Sequence, residues 1–136
     1  MTQPDSAPAL VAGLTAECSQ VVTHALTAAS VASGLVAAFS TPSMVALMEQ
    51  AAFEATRPCL APGQTTVGTD VSIRHLAATP VGMSVRAKAE LLRVEGRRLD
   101  FAIEAWDDVE KIGEGTHTRM VVDLARFTER VGKKHA

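Results

Sequence analysis

The chain has 136 residues, of which 47% are hydrophobic and 21% are charged, and this length suits one domain with a single core. The apolar fraction excludes a wholly disordered chain, and no apolar run approaches the roughly 18 residues that a membrane span requires. The formal net charge of −2 argues against a broad basic surface for nucleic acid.

The charges are distributed unevenly along the chain. Residues 1–56 contain no Lys or Arg, and all 13 bases lie from Arg57 onward. A secretory signal begins with a positively charged region, which residues 1–56 lack, so we expect a cytoplasmic protein. An anionic ligand would have to find its cations in the second half of the chain.

The cysteines and histidines suggest neither a disulfide framework nor a metal site. Cys18 and Cys59 are too few for such a framework, and we expect both to be reduced and packed. A catalytic cysteine is the weaker interpretation, because nothing nearby identifies its partner. None of the four histidines has another His, a Cys or a carboxylate at metal-ligand spacing, so we predict no metal.

The first elements in chain order are weakly marked. Residues 1–13 are small and polar, and we expect a frayed N-terminus. Residues 14–23 fit a strand with imperfect alternation. Residues 25–38 fit either a short helix or a loop that covers the core, because periodicity does not decide between them.

A helix with a wide apolar face is predicted over residues 42–57. Thr41 is a suitable N-cap, and Pro42 takes the first helical position, where its missing N–H is not needed. Arg57 precedes Pro58, and a residue before proline avoids the α region, so the helix ends there. The apolar face consists of residues at helical spacing, namely Met44, Val45, Leu47, Met48, Ala51, Ala52 and Ala55.

After a turn at Pro62 and Gly63 the hydrophobic period changes from 3.6 to 2. This alternation predicts four strands, over residues 65–75, 83–91, 99–105 and 115–124. The last of them is predicted to place Met120 and Val122 on its apolar face. The strands are joined largely by short turns typical of hairpins.

Consecutive hairpins imply an antiparallel sheet, and the apolar helix must bury its stripe against that sheet. We therefore predict an α+β protein with the hot-dog fold, in which a curled antiparallel sheet wraps around one long central helix. The domain is expected to cover residues 14–127. The charged tail over residues 128–136 is expected to be loose.

Three polar residues occupy positions where an apolar side chain is expected. Glu49 lies at the border of the buried stripe, where partial burial would raise its pKa; the simpler interpretation is a border Glu paired with a base. His75 falls in the apolar register of its strand and is either a satisfied core histidine or an acid–base group. Thr41 is either only an N-cap or a hydroxyl that faces a cleft at the positive end of the helix.

Geometry restricts how these three residues can combine. Thr41 and Glu49 are eight residues apart, about 12 Å along a helix, so they cannot hydrogen-bond directly. They can share one site only if His75 or a substrate lies between them, or if a second subunit brings its own copy.

Two further residues are candidates for substrate binding. Gly68 interrupts a regular strand, which indicates a bulge or a place where the backbone closely approaches a ligand. Arg119 is predicted to face, with His117, away from Met120 and Val122. It is either solvated or aimed at a phosphate or a substrate carbonyl.

Four blocks of the sequence closely resemble the fluoroacetyl-CoA thioesterase family of single-hot-dog proteins: TPSMVALMEQAAFEA, GTDVSIRHLAATPVG, VEGRRL and IGEGTHTRMVV. The resemblance runs from about Phe39 to Phe127 and is poor over the first 38 residues. It implies a homodimer that hydrolyses acyl-CoA thioesters, with no cofactor beyond the CoA of the substrate and with no nucleic acid, membrane or metal as a partner.

The resemblance also implies roles for the candidate residues. Thr41, Glu49 and His75 match the catalytic residues of the family. Gly68 matches the glycine whose backbone contacts substrate and CoA, and Arg119 matches the arginine near the substrate.

The chain departs from the family in the lid-like segment 25–40. Fluoroacetyl-CoA enzymes have a Phe- and Pro-rich segment here, whereas this chain has Ala, Ser and Val, with Leu35 close to the position of a lid Phe. We therefore expect hydrolysis of another short or medium acyl-CoA. The alternatives are an acyl-CoA sensor or carrier that does not turn its ligand over and, more weakly, a hot-dog dehydratase.

Overall fold

The computed structural model describes residues 8–135, so much of the N-terminal stretch expected to fray lies outside the described residues. One long helix precedes four consecutive strands, and a shorter helix closes the chain. The elements are β1 (Thr15–Val21), α1 (Thr41–Thr56), β2 (Gln64–His75), β3 (Ser84–Glu95), β4 (Arg98–Asp107), β5 (Lys111–Asp123) and α2 (Leu124–Gly132), with single 3₁₀ turns at His24–Leu26, Arg57–Cys59 and Lys133–His135.

The strands form a five-stranded sheet in the order β1-β3-β4-β5-β2, and every neighbouring pair is antiparallel. The predicted hairpins join β3 to β4 and β4 to β5. Since α1 connects β1 to β2, the chain passes from one edge of the sheet to the other before the hairpins begin. Strand β2 is therefore an edge strand of twelve residues.

The predicted central helix is present, but its cap is Ser40 and not Thr41. Ser40 has extended backbone angles, and its Oγ accepts a hydrogen bond from the Ser43 N–H at 3.1 Å. Thr41 is therefore the first helical residue. Its hydroxyl is not needed for capping and is available to another partner, so the prediction of Thr41 as N-cap is wrong.

Helix α1 buries its apolar stripe against the concave face of the sheet. Met44, Met48 and Phe101 are among the largest fully buried side chains, and burying each stabilises the fold by roughly 1.5–3 kcal/mol. The helix approaches β5 closely at Gly113, where an added Cβ would lie 2.5 Å from the Met44 sulfur. Val45, Glu49 and Phe53 follow one another along the border of the stripe and are only half-buried.

Strand β5 differs from its prediction in length and in orientation. It begins at Lys111, four residues earlier than expected, and its inward face carries His117, Arg119 and Val121. Met120 and Val122 lie on the outer face, where they line a groove beside α2. The apolar residues of β5 therefore do not identify the face toward the core.

The C-terminal segment that was expected to be loose is helical as far as Gly132. The Asp123 carboxylate accepts a hydrogen bond from the Arg126 N–H at 2.9 Å, which caps α2 and explains why the chain turns into a helix there. Residues 25–38 form a loop and not a helix, and isolated bridges pair Thr27 with Phe39 and Ala38 with Pro80. Across residues 8–135, no helix is long and apolar enough to cross a membrane.

Candidate active site

The first residue of α1 and the last residue of β2 meet at one end of the sheet. The Thr41 hydroxyl oxygen lies 2.7 Å from His75 Nδ1, and this contact joins two residues that are 34 positions apart. The pair opens into a shallow cavity of about 360 Å³ whose other walls are formed by residues 76–78. A hydroxyl bonded to an imidazole is the arrangement by which proteins activate a nucleophile or a water.

The environment of His75 favours its neutral form. Burial lowers the pKa of His75 below its usual value, because a low-dielectric setting disfavours the imidazolium. If Nδ1 accepts from the Thr41 hydroxyl, then Nε2 carries the proton. His75 Nε2 is buried and has no hydrogen-bond partner among residues 8–135.

A second group of polar residues lies on the concave face around Gly68. A Cβ added at Gly68 would lie 3.5 Å from Glu49 Oε2, 3.4 Å from Arg119 Nη1 and 3.2 Å from His117 Cε1. The register of β2 against β5 shifts between Gly68 and Asp70, which confirms the predicted bulge. The lack of a side chain at Gly68 therefore leaves the space in which Glu49, Arg119 and His117 converge.

Arg119 is almost fully buried, with 6% of its surface exposed, so it is not the solvated arginine of the simpler interpretation. Its Nε donates to the Thr66 hydroxyl and its Nη2 donates to the Thr66 carbonyl, both at 2.9 Å. Its Nη1 lies 3.8 Å from Glu49 Oε2, and the guanidinium lies over the Phe53 ring at 5.9 Å. Because the Glu49 side chain is 42% exposed, this pair is open to solvent on the carboxylate side.

The two groups do not meet within the chain. Thr41 and Glu49 are separated by eight residues of α1, about 12 Å. His75 and Gly68 are seven residues apart on β2, roughly 23 Å along an extended strand. We call the Thr41–His75 pair the hydroxyl half and the Glu49–Gly68–Arg119 cluster the carboxylate half.

The sequence pattern indicated His117 only as a neighbour of Arg119, and it gave no sign of Thr66. Both lie on the concave face with Arg119, and a correct face assignment for β5 would have revealed His117. Thr66 precedes Gly68 by two residues on β2 and therefore shares its face.

The loop over residues 25–38 carries strongly exposed apolar side chains at its tip. Leu35 is 98% exposed and Val36 is 65% exposed. The tip contains Ala32 and Gly34 with positive φ angles of 60° and 148°, so the backbone turns sharply there. The base is held by hydrogen bonds between Ala28 and Ala38 and between Phe39 and Thr79.

Neither the hydroxyl half nor the carboxylate half contains a cysteine or a group of metal ligands. Cys18 and Cys59 are free thiols, and burial raises the pKa of Cys18, which keeps it protonated. Across residues 8–135, no group of three His, Cys, Asp or Glu side chains is placed to hold a metal ion.

The fold and these residues define a class of protein, the hot-dog thioesterases. A structure of a thioesterase-superfamily protein from Thermus thermophilus superposes with a TM-score of 0.82 at 29% identity, with 96% of each chain covered. The structure of the fluoroacetyl-CoA thioesterase FlK superposes with a TM-score of 0.88 at 37% identity, covering 93% of this chain and 98% of FlK. A variant of FlK has also been solved in complex with fluoroacetate and CoA.

The sequence comparisons identify the family. A curated fluoroacetyl-CoA thioesterase from Streptantibioticus cattleyicolor is 47% identical over 96 residues, which are 71% of this chain and 69% of that protein. The model of the fluoroacetyl-CoA-specific thioesterase family matches residues 7–125, so the match begins well before Phe39. The chain belongs to the fluoroacetyl-CoA-specific thioesterase family, as the resemblance implied, and is a thioester hydrolase.

Proposed function

We propose that this protein is a homodimer that hydrolyses a short or medium acyl-CoA to the free acid and CoA. The observation that carries this proposal is the division of the candidate site into a hydroxyl half and a carboxylate half. Each half is preorganised by its own hydrogen bonds, but neither contains all the groups that thioester hydrolysis needs. A second copy of the chain can supply the missing half.

Strand β2 provides the surface for this second copy. Among residues 8–135 no strand pairs with its outer edge, and an unpaired edge of twelve residues is a ready template for another strand. Antiparallel pairing about a two-fold axis near Val71 and Ser72 would place His75 of one protomer opposite Gly68 of the partner subunit. The hydroxyl half of one protomer would then face the carboxylate half of the other.

The hydroxyl half supplies the nucleophile and its base. The nucleophile is the Thr41 hydroxyl or a water bound to it, and neutral His75 takes its proton as the carbonyl is attacked. The lowered pKa of His75 suits this task, because the imidazole stays free to accept a proton near neutral pH. The tetrahedral intermediate then collapses with the CoA sulfur as the leaving group, and His75 passes its proton to that sulfur. Where Thr41 is the nucleophile, a water then hydrolyses the acyl-enzyme to the free acid.

The carboxylate half stabilises charge and handles protons. Attack on the thioester places negative charge on the carbonyl oxygen, and the fixed, buried Arg119 and the backbone at Gly68 are placed to stabilise it. Glu49 is exposed on one side and contacts Arg119 on the other. It activates water or attacks directly.

The acyl group is set by the loop over residues 25–38. This loop has no Phe, and its tip presents the exposed Leu35 and Val36. An aliphatic tip suits an aliphatic acyl chain, so we propose a short or medium acyl group instead of fluoroacetyl. Replacing Leu35 with Ser should leave the melting temperature nearly unchanged, because the side chain is 98% exposed, but should lower kcat/KM for longer acyl groups.

A panel of acyl-CoAs of increasing chain length, with fluoroacetyl-CoA included, tests the proposal. Free CoA is measured with a thiol reagent, and saturable release with a maximum at a short or medium acyl group is expected. A maximum at fluoroacetyl-CoA would contradict the proposed selectivity. Saturable binding of acyl-CoA without release of CoA would overturn the enzymatic function and favour a sensor or carrier.

The state of the two cysteines bears on the cellular location of the protein. The chain has a free Cys18 and a free Cys59, as expected for a reducing environment. These features support a cytoplasmic location, where acyl-CoA substrates occur.

A further inference from the structure

His117 is a buried titratable residue that the reaction proposed above does not use. Only 1% of its surface is exposed, and its ring stacks on Phe101 of β4 with a centroid distance of 6.1 Å. A buried imidazole nitrogen without a hydrogen-bond partner destabilises the fold, because its lost contacts with water are not replaced. The partners of the two His117 nitrogens therefore show what the residue does.

Both nitrogens of His117 are bonded, and the two bonds select one tautomer. Nδ1 lies 2.8 Å from the Asp70 carbonyl oxygen, which can only accept, so Nδ1 carries the proton. Nε2 lies 3.2 Å from Arg119 Nη1, which can only donate, so Nε2 accepts. His117 is thus a neutral link between the β2 bulge and the guanidinium of Arg119.

The nitrogen that His117 holds is the one that faces the site. Thr66 accepts hydrogen bonds from Nε and Nη2 of Arg119. The remaining nitrogen, Nη1, lies nearest Glu49 and the Gly68 position. Without a bond at Nη1, the guanidinium would keep its contacts with Thr66 but lose the constraint on its outer end. A small displacement of a charge-stabilising donor lowers the rate strongly.

We propose that His117 is a positioning residue that fixes Arg119 Nη1 in the carboxylate half and ties it to the bulge at Asp70. This role rests on the proposed function, in which Arg119 stabilises the charge of the thioester carbonyl. It requires His117 to be neutral, because a proton on Nε2 would point at the Nη1 donor and break the link.

Two substitutions separate this role from mere filling of space. In H117Q the amide oxygen can reach the former position of Nε2 and accept from Arg119. In H117N the amide nitrogen can still donate to the Asp70 carbonyl, but the side chain is too short to reach Arg119. We expect H117N to lower kcat about tenfold or more with little change in KM, and H117Q to retain kcat within about threefold of the wild type.

A double-mutant cycle tests whether the effect passes through Arg119. In the background of R119Q, which itself lowers kcat, the additional H117N substitution should change kcat by less than about twofold. An equal loss of kcat in H117N and H117Q, or an undiminished effect of H117N in the R119Q background, would overturn the proposal. A purely structural role predicts one of these results.

The pH profile provides a measurement that does not depend on the folding of H117N. The charged groups that face His117 are Arg119 on its own strand, Asp70 on β2 and Glu49 on α1; Phe101 on β4 carries no charge. The wild-type kcat should fall on the acid side as His75 and His117 are protonated. H117Q should lose only the His117 contribution, so its acid limb should be shallower than that of the wild type. An identical acid limb in both enzymes would contradict the proposal.

The failure of this inference is distinguishable from the failure of the proposed function. A wild type that releases no CoA from any member of the acyl-CoA panel would overturn both. A wild type that is active, with the H117N and H117Q variants equally impaired, would overturn only the role of His117.

Discussion

Mixing two inactive variants tests whether the site is shared between protomers. Thr41 lies about 12 Å along α1 from Glu49, so T41V and E49Q damage different halves of the site. If each site takes its hydroxyl half from one protomer and its carboxylate half from the other, a heterodimer of the two variants has one site with both substitutions and one with neither. Activity should therefore reappear on mixing.

The size of the recovery follows from the symmetry. Random exchange of subunits at equal concentrations makes about half of the dimers heterodimers, and one of the two sites in each is intact, so the mixture should reach about a quarter of wild-type activity. The variants are co-refolded from denaturant, and CoA release is compared with that of each variant treated alone. The matched control mixes T41V with H75A, which damage the same half in both sites and should give no recovery.

The opposite result would refute the shared site. If Thr41, His75 and Glu49 of a single protomer acted together, each site of a T41V/E49Q heterodimer would carry one of the two substitutions. The mixture would then remain as inactive as its components. Mass measurement under native conditions verifies that heterodimers have formed, so that a lack of recovery is informative.

Three further predictions concern the glycines and histidines. Replacing Gly68 with Ala places a methyl group among three converging side chains and should lower kcat/KM about tenfold or more in the CoA-release assay, with an unchanged melting temperature. Replacing Gly113 with Ala crowds the sulfur of Met44 and should instead lower the free energy of unfolding by about 1–3 kcal/mol, measured by urea unfolding. Burial lowers the pKa values of His75 and His117, so below about pH 6.5 the unfolded chain binds more protons than the folded one. The free energy of unfolding should therefore fall between pH 7 and pH 5, and a constant value would contradict the pKa shifts.

Hydrophobic periodicity located the elements because each has one face in the core. The helix predicted over residues 42–57 spans Thr41–Thr56, and the strand predicted over 65–75 spans Gln64–His75. The predictions that are wrong concern segments whose structure depends on hydrogen bonds and not on the burial of apolar side chains. Helix α2 depends on the Asp123 cap and buries no residue, so the charged composition of this segment suggested a loose tail.

The face of β5 was assigned wrongly for a related physical reason. The face of β5 toward the core carries His117 and Arg119. Both are stable there because His117 bonds to the Asp70 carbonyl, Arg119 bonds to Thr66, and the two side chains bond to each other. Hydrogen bonds between strands that are far apart in the sequence leave no periodic signal in a single sequence. Met120 and Val122 therefore appeared to mark the core, although they line an outer groove.

The candidate residues could be chosen from the sequence, but their grouping could not. Local spacing showed only that Thr41 and Glu49 cannot touch. The contact of Thr41 with His75 and the convergence of Glu49 and Arg119 at Gly68 depend on how α1 lies across the sheet. That placement is a property of the packed core, in which Gly113 admits the helix close to β5.

Ser40 and Thr41 are adjacent hydroxyl residues at the start of α1. A single hydroxyl there could not both cap the helix and contact His75. A capping hydroxyl must accept from a helix N–H, and this fixes its rotamer toward the helix. Ser40 does so: its Oγ accepts a hydrogen bond from the Ser43 N–H and donates one to the Ser43 hydroxyl. Thr41 is consequently free to turn its hydroxyl to His75, at the end of the helix where N–H dipoles favour developing negative charge. Because Thr41 follows the cap directly, the same backbone turn that starts the helix also fixes the position of the proposed nucleophile.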